Sequence, residues 1–314
     1  MDFSRVIILL ARQRCGTHAL RSVLASHPDI EGVEEIFHLK SASQPGTGDT
    51  NFFVFLKQQL RREPLRLLPV DYEDLFLEYL DFLGRRTPKR YLVLDVKCNT
   101  VHHITRSFQP LVGFPYLFEL MLKHQLKAFF LTRRNYLRTF LSLEKARLSR
   151  TFHVHASGPE VPDAKITLDV GALRYEMERW EAEDELVRRT FSCPPVYRER
   201  WRPDYFFTCD YTDVFPTTDG TVSSAFCERF SNWLGVPNEF AQKAAYQKLA
   251  CLPLSQSLEN FDEVYAMLRG TRFAYCLTDE PGFNDSSETK RGLLPRWRWA
   301  KRLSFAKDAP SVPR

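Results

Sequence analysis

The sequence lacks any apolar run approaching the ~20 residues needed to cross a bilayer. Its first hydrophobic stretch, Val6-Ile7-Ile8-Leu9-Leu10-Ala11, lies between Arg5 and Arg12. It is shorter than the roughly 7–15-residue core of a secretory signal, and no small-residue cleavage site follows it. The expectation is therefore a cytoplasmic chain with no transmembrane segment. Paired cysteines are also missing. The seven cysteines (Cys15, Cys98, Cys193, Cys209, Cys227, Cys251 and Cys276) are odd in number, scattered, without a CxxC pair and without histidine at metal-ligand spacing. His153-Val154-His155 sits among glycines and prolines and reads as loop. A reduced, metal-free protein is the simplest account. The chain has no internal repeat and no evident domain linker. The phosphate loop GxxxxGK[ST] of nucleoside triphosphatases is absent as well.

What is there is ordinary globular material: 314 residues, 44% hydrophobic, 26% charged and 13% aromatic, ample for a large core. Length alone allows about two domains; with no linker in view, one domain over 1–314 is expected. The net charge of +5 is concentrated in residues 290–307, which hold seven basic residues and no acid. The rest of the chain is nearly neutral. A nucleic-acid footprint is broader than this, so no nucleic acid is expected as partner. The basic, aromatic tail 285–314 reads as a solvated helix docked through Trp297 and Trp299, or as a segment gripping phosphate or an acidic surface.

Along the chain, continuous apolar runs at 6–10, 91–96, 126–132 and 205–209 read as buried strands. A further short element is expected over 31–37. Helical periodicity begins at Thr17 and ends at Pro28. It returns over 136–147, after Asp169 as N-cap (Leu173, Met177, Trp180 and Val187 on one stripe), and over 224–234, stopped by Gly235. Segments 40–52 and 151–167 are polar or rich in Gly, Pro and His and are expected to be mobile loops. The aromatic segments 51–55 and 115–118 are candidates for lining a substrate pocket. Strands alternating with helices predict an α/β fold with a parallel sheet covered on both faces.

In such folds ligands bind outside the C-terminal strand ends, where helix N-termini present free N–H groups. Two of these edges carry anion-binding residue types. The first is Arg14-Cys15-Gly16-Thr17-His18: Gly16 lets backbone amides approach, Arg14 offers a planar fork and Thr17 a hydroxyl. The second is Thr132-Arg133-Arg134-Asn135, followed by a helix with Arg138 one turn in and Ser142 two turns in. Taken singly, the first is as well read as a plain strand-to-helix turn, and the second as a charged helix start.

Taken together, the strand followed by RCGTHALRSVLASHPDI and EGVEEIF, and the later strand followed by RRNYLRTFLSL, resemble the sulfotransferases that use 3′-phosphoadenosine-5′-phosphosulfate (PAPS). The likeness is to the bacterial carbohydrate members that act on trehalose, nodulation factors or lipopolysaccharide. Asp210-Tyr211-Thr212-Asp213 and the segment 254–277 resemble later parts of the same family. The resemblance implies a P-loop-like three-layer fold with a central parallel sheet flanked by helices. It implies PAPS as donor, with Arg14, Cys15, Gly16, Thr17 and His18 at the 5′-phosphosulfate and Arg134 and Ser142 at the 3′-phosphate. Glu35 would be the general base, with its neighbour Glu34 as second choice. Lys97 and Asn99 would stand beside the reacting group, Arg14 would assist the leaving group, and no metal is implied. Lys290-Arg291-Gly292 is similar to a segment that closes over the nucleotide in cytosolic members. His18 and Ala19 depart from the family pattern, so adenine contacts stay unassigned.

The expected reaction is in-line sulfuryl transfer to a hydroxyl or amine of a sugar, glycolipid or small natural product, a small-molecule or carbohydrate acceptor. An ATP-dependent small-molecule kinase of P-loop type and a non-catalytic nucleotide-binding module remain as alternatives. So does a surface or nucleic-acid binder acting through residues 296–302. Residue types alone do not choose the acceptor.

Overall fold

A computed structural model of the chain describes residues 2–39, 49–63, 72–105, 113–149, 164–245 and 252–278. The strands are β1 (Val6–Ala11), β2 (Ile30–Glu35), β3 (Tyr91–Lys97), β4 (Lys127–Thr132) and β5 (Phe206–Asp210). They form one wholly parallel sheet in the spatial order β2-β3-β1-β4-β5. An unbroken apolar run has no polar face for water, so β1 belongs at the centre, and every one of its residues is fully buried.

Parallel strands need crossovers, and these supply the outer layers. On one face, Ile7 and Leu9 of β1 pack with Leu20, Val23 and Leu24 of α1 (Thr17–Ala25). Beyond α7 (Tyr211–Val214), Phe226 and Phe230 of α8 (Ser224–Leu234) join the same cluster. On the other face, Val6, Ile8 and Leu10 meet α2 (Phe52–Arg62), α3 (Tyr72–Arg85) and α4 (Tyr116–Lys123). A third cluster joins α5 (Tyr136–Ser149) to α6 (Val170–Ser192), α9 (Leu254–Ser257) and α10 (Phe261–Leu268). The result is the expected three-layer α/β architecture.

The local signals act as their chemistry requires. The Asp169 carboxylate accepts from the Ala172 amide at 2.9 Å and starts α6, whose Leu173, Met177, Trp180 and Val187 are all buried. Gly235, left-handed at φ 65°, ends α8. The aromatic segments 51–55 and 115–118 differ from expectation. Asn51 is a buried cap accepting from the Phe53 amide at 2.9 Å, and Phe52, Phe55, Leu117 and Phe118 are core residues. Of the aromatics in the first segment, Phe53 is the one left half-buried, its ring 5.0 Å from that of His103. Amphipathic helices place aromatics inward for burial, about 1.5–3 kcal/mol per large side chain, and that outweighs pocket lining here.

The chain divides into two units, Met1–Phe283 and Asn284–Arg314. The tail 285–314, the Lys290-Arg291-Gly292 segment, and residues 40–48 and 151–163 of the two expected loops lie outside the described residues. No helix among the described residues is long and apolar enough to cross a membrane.

Phe52→Ala is expected to cost about 3–5 kcal/mol, whereas Phe53→Ala costs about 1–2 kcal/mol. Urea denaturation reads both, and equal losses would return the segment to a pocket-lining role.

Candidate active site

The C-terminal ends of all five strands share one edge, and the turn leaving β1 is its centre. Ala11 and Thr17 are both buried, so the backbone between them must turn sharply without loosening either end. Arg14 (φ 67°) and Gly16 (φ 79°) are both left-handed. For Arg14 that conformation costs roughly 1–2 kcal/mol. Gly16 is required twice over: besides its φ, a Cβ there would stand 2.5 Å from Cε2 of Tyr211. Arg12 anchors the start of the turn. Its guanidinium donates to Asp184 at 2.6 Å and to the Trp180 carbonyl at 2.8 Å, and Tyr136 donates to the other Asp184 oxygen at 2.9 Å. This buried network binds the tip of β1 to α5 and α6. Cys15, fully buried, has its thiol pushed up to about 11 by burial, which makes it a packing residue with an inert side chain.

The two arginine-bearing edges meet at Arg14. Its Nε donates to Ser142 Oγ at 3.1 Å, so the turn after β1 touches the second turn of α5 directly. Arg133, buried and stacked 4.8 Å from the Tyr211 ring centre, donates from Nη1 to the Arg14 carbonyl at 3.2 Å. Burial, and then the nearby charge of Arg133, lower Arg14 to about 10. Two cations pressed together in a half-buried place are relieved by an anion. Arg134 is arranged differently. Its side chain is 72% exposed, with Nε 3.8 Å from Asp210, while its amide donates to the same carboxylate at 2.8 Å. Asp210 also caps α7 by accepting from the Thr212 amide at 3.1 Å. Arg138 is almost fully buried and donates to the Leu252 carbonyl at 2.7 Å, which marks it as a fastening of α5.

On the other side of β1, the register of β2 against β3 shifts between Val33 and Glu35. Val33 pairs with Leu94, and Glu35 pairs with Asp95. Partners in a parallel ladder point to the same face, so this irregularity turns Glu35 toward the α1 side with Asp95 and Lys97. Glu34 is displaced outward: its side chain is 62% exposed and lies 3.3 Å from Arg21. Glu35 is half-buried and its carboxyl is raised above the ordinary range, chiefly by burial and further by Asp95, against the lowering charges of Lys97, His38 and Arg21. Lys97 is 4% exposed and donates to Thr17 Oγ1 at 2.6 Å and to both oxygens of Asp95 at 2.6 and 2.7 Å. His18 lies at the open side of α1 with Nδ1 3.3 Å from Arg21. Asn99 is exposed beyond β3.

The structure thus brings Arg14, Gly16, Thr17, Ser142 and Lys97 into one chain of contacts, with Glu35 facing the same side. It leaves Arg134 at the solvent side and Asn99 outside the contacts described. Arg133, Asp95 and Arg21 complete this edge, although the residue patterns did not single them out as site residues. Arg133 was visible only as the neighbour of Arg134. Asp95 was hidden inside an apolar strand run, where a single acid among Leu92, Val93, Leu94 and Val96 is itself a signal.

No protein-family model and no curated protein matches the chain. Among solved structures, the sulfotransferase domain from the Synechococcus PCC 7002 olefin synthase is similar with a TM-score of 0.35 and 14% identity. That match covers 74% of this chain and 73% of that one.

Gly16→Ala must both strain φ and displace Tyr211, and is expected to lower stability by on the order of 2–4 kcal/mol. At Gly235, where a Cβ meets nothing within 4 Å, alanine costs only the backbone strain, about 1 kcal/mol. Thermal unfolding of both variants checks this; equal losses would remove Tyr211 from the argument.

Proposed function

We propose that the chain is a sulfotransferase that moves the sulfuryl group of PAPS to a hydroxyl or amine of a small-molecule or carbohydrate acceptor, in the cytoplasmic setting expected from its cysteines. The observation that carries the reading is the junction of two cationic strand edges. Arg14 from the β1 turn rests on Ser142 of α5 and carries Arg133 on its carbonyl, and a half-buried carboxylate stands at the neighbouring strand tip. These residue types fit a donor with separate 5′ and 3′ phosphate groups. The N-terminus of α1 and Arg14 suit one, and Ser142, with the exposed Arg134 beside Asp210 at the rim, suits the other. When bound, PAPS supplies an activated sulfuryl group and a phosphate leaving group.

The chain's own residues then have distinct tasks. Arg14 and the first amides of α1 stabilise negative charge gathering at the turn. Glu35 accepts the acceptor's proton, an effect worth roughly 10²–10⁴-fold in such reactions. Its raised pKa makes it a stronger base than an exposed carboxylate, at the cost of needing a higher pH to be deprotonated. One geometric detail favours a second reading, ATP-dependent transfer by a P-loop-type kinase: Lys97 brings an ammonium to Thr17 at the helix start, much as a triphosphatase loop brings its own lysine.

Calorimetry with adenosine 3′,5′-bisphosphate and with ATP separates the two. The expected result is binding of the bisphosphate in clear preference to ATP, with Arg14→Ala weakening it about 10–100-fold, the loss of one charge-assisted hydrogen bond. Preference for ATP would overturn the reading. In transfer of labelled sulfate from PAPS to a panel of sugars, lipids and small metabolites, Glu35→Gln is expected to keep nucleotide affinity and lose about 10²–10⁴-fold in turnover. Because the folded carboxyl lies above the usual ~4.3, wild-type activity is lost on the acid side at a correspondingly higher pH. Near-normal turnover of Glu35→Gln would remove Glu35 as base.

A further inference from the structure

Lys97 has three N–H bonds, and three oxygens take them: one on Thr17 and both on Asp95. As it stands, the ammonium has no hydrogen left for a ligand, so its influence must pass through the groups it holds. A charged pair buried this deeply, Asp95 fully and Lys97 nearly so, gains little net stability over an apolar pair of similar shape. The fold gives this pair a position rather than mere burial. Asp95 and Lys97 are on the same face of β3, two residues apart, one opposite Glu35 in the ladder and the other beyond it against α1. Arg21 of α1 completes the surroundings, with Nη1 4.0 Å from Asp95, buried and without a hydrogen-bond partner.

We propose that Asp95 and Lys97 form a positioning pair, which fixes the Thr17 hydroxyl as a donor toward the bound nucleotide and holds a set balance of charge beside Glu35. The nucleotide half of the proposal rests on the sulfotransferase reading, and the Glu35 half on the ladder pairing of Glu35 with Asp95, which needs no ligand. Because the Thr17 oxygen accepts from Lys97, its own hydrogen is left to be given to an anion at the start of α1. The groups bearing on Glu35 are Asp95 and Lys97 from β3, His38 just past β2, and Arg21 from α1. Of these, Asp95 favours the protonated carboxyl, and Lys97, Arg21 and His38 favour the carboxylate. Lys97 is therefore a positioning residue, acting through Thr17 and Glu35.

Two measurements test the pair. In the full-length chain carrying ¹³C-labelled glutamate, the Glu35 carboxyl resonance is assigned by its loss in Glu35→Gln and then titrated. Lys97→Met is expected to move its midpoint up and Asp95→Asn to move it down, on the order of one pH unit apart. Asp95→Asn strands a buried ammonium and risks misfolding. The double variant Asp95→Asn/Lys97→Met carries neither charge and should titrate between the two single variants. Coinciding midpoints, or a double variant outside that interval, would overturn the Glu35 half. Calorimetry with adenosine 3′,5′-bisphosphate supplies the other arm. Thr17→Val and Lys97→Met are each expected to weaken binding about tenfold, and together by no more than the larger single loss, because one acts through the other. Additive losses would overturn that half. A wild-type chain that does not bind the bisphosphate sinks the sulfotransferase reading, and the Thr17 half falls with it. The carboxyl titration needs no ligand and decides the rest.

Discussion

The site is built around the exit of β1. A strand buried on both faces must hand the chain to a helix whose first residue is also buried. The backbone achieves this only with two left-handed residues, and with a glycine where the Tyr211 ring leaves no room for a side chain. The same turn starts α1 at Gly16 without a side-chain cap and presses Arg14 against Ser142. Tyr211 in turn carries Arg133 on its ring and begins the helix capped by Asp210. Shape at one turn thereby fixes where positive charge gathers, at the adjoining tips of β1 and β4.

Two of the buried carboxylates at this edge have different duties. Asp184 receives Arg12 and Tyr136, which join the strand tip to α5 and α6 and so set the distance between Arg14 and Ser142. Asp95 receives Lys97, which sits between the helix start and Glu35. Buried ion pairs contribute little to stability when weighed against their desolvation, and their removal one partner at a time is costly. Their effect here is on geometry. Asp184 fastens α5 and α6 to the exit of β1, and the Asp95–Lys97 pair fastens the start of α1 to β3.

Much of this was legible in the residues. The unbroken apolar run of β1, the Asp169 cap and the Gly235 stop are local signals with local causes, and each element formed where its signal stood. The placement of Arg14, Gly16 and Thr17 at a strand-to-helix turn, and of Ser142 in the following helix of the second edge, was readable because both features leave local signals. The helices α2 and α4 escaped, since their aromatics looked like a pocket and periodicity over so short a span does not separate core from lining. Glu35 was preferred to Glu34 by resemblance alone; that Glu35 is the one paired with Asp95 depends on a register shift between distant strands, which no local pattern encodes. Likewise the separate places of Arg133 and Arg134 depend on Tyr211 and Asp210, brought up from β5.

The central claim is that a doubly phosphorylated nucleotide lies across the tips of β1 and β4. A crystal structure with adenosine 3′,5′-bisphosphate tests it most directly. The account predicts one phosphate on the Gly16 and Thr17 amides beside Arg14, and the other near Ser142 within reach of Arg134. Density elsewhere, or phosphates that touch neither Arg14 nor Ser142, would contradict it.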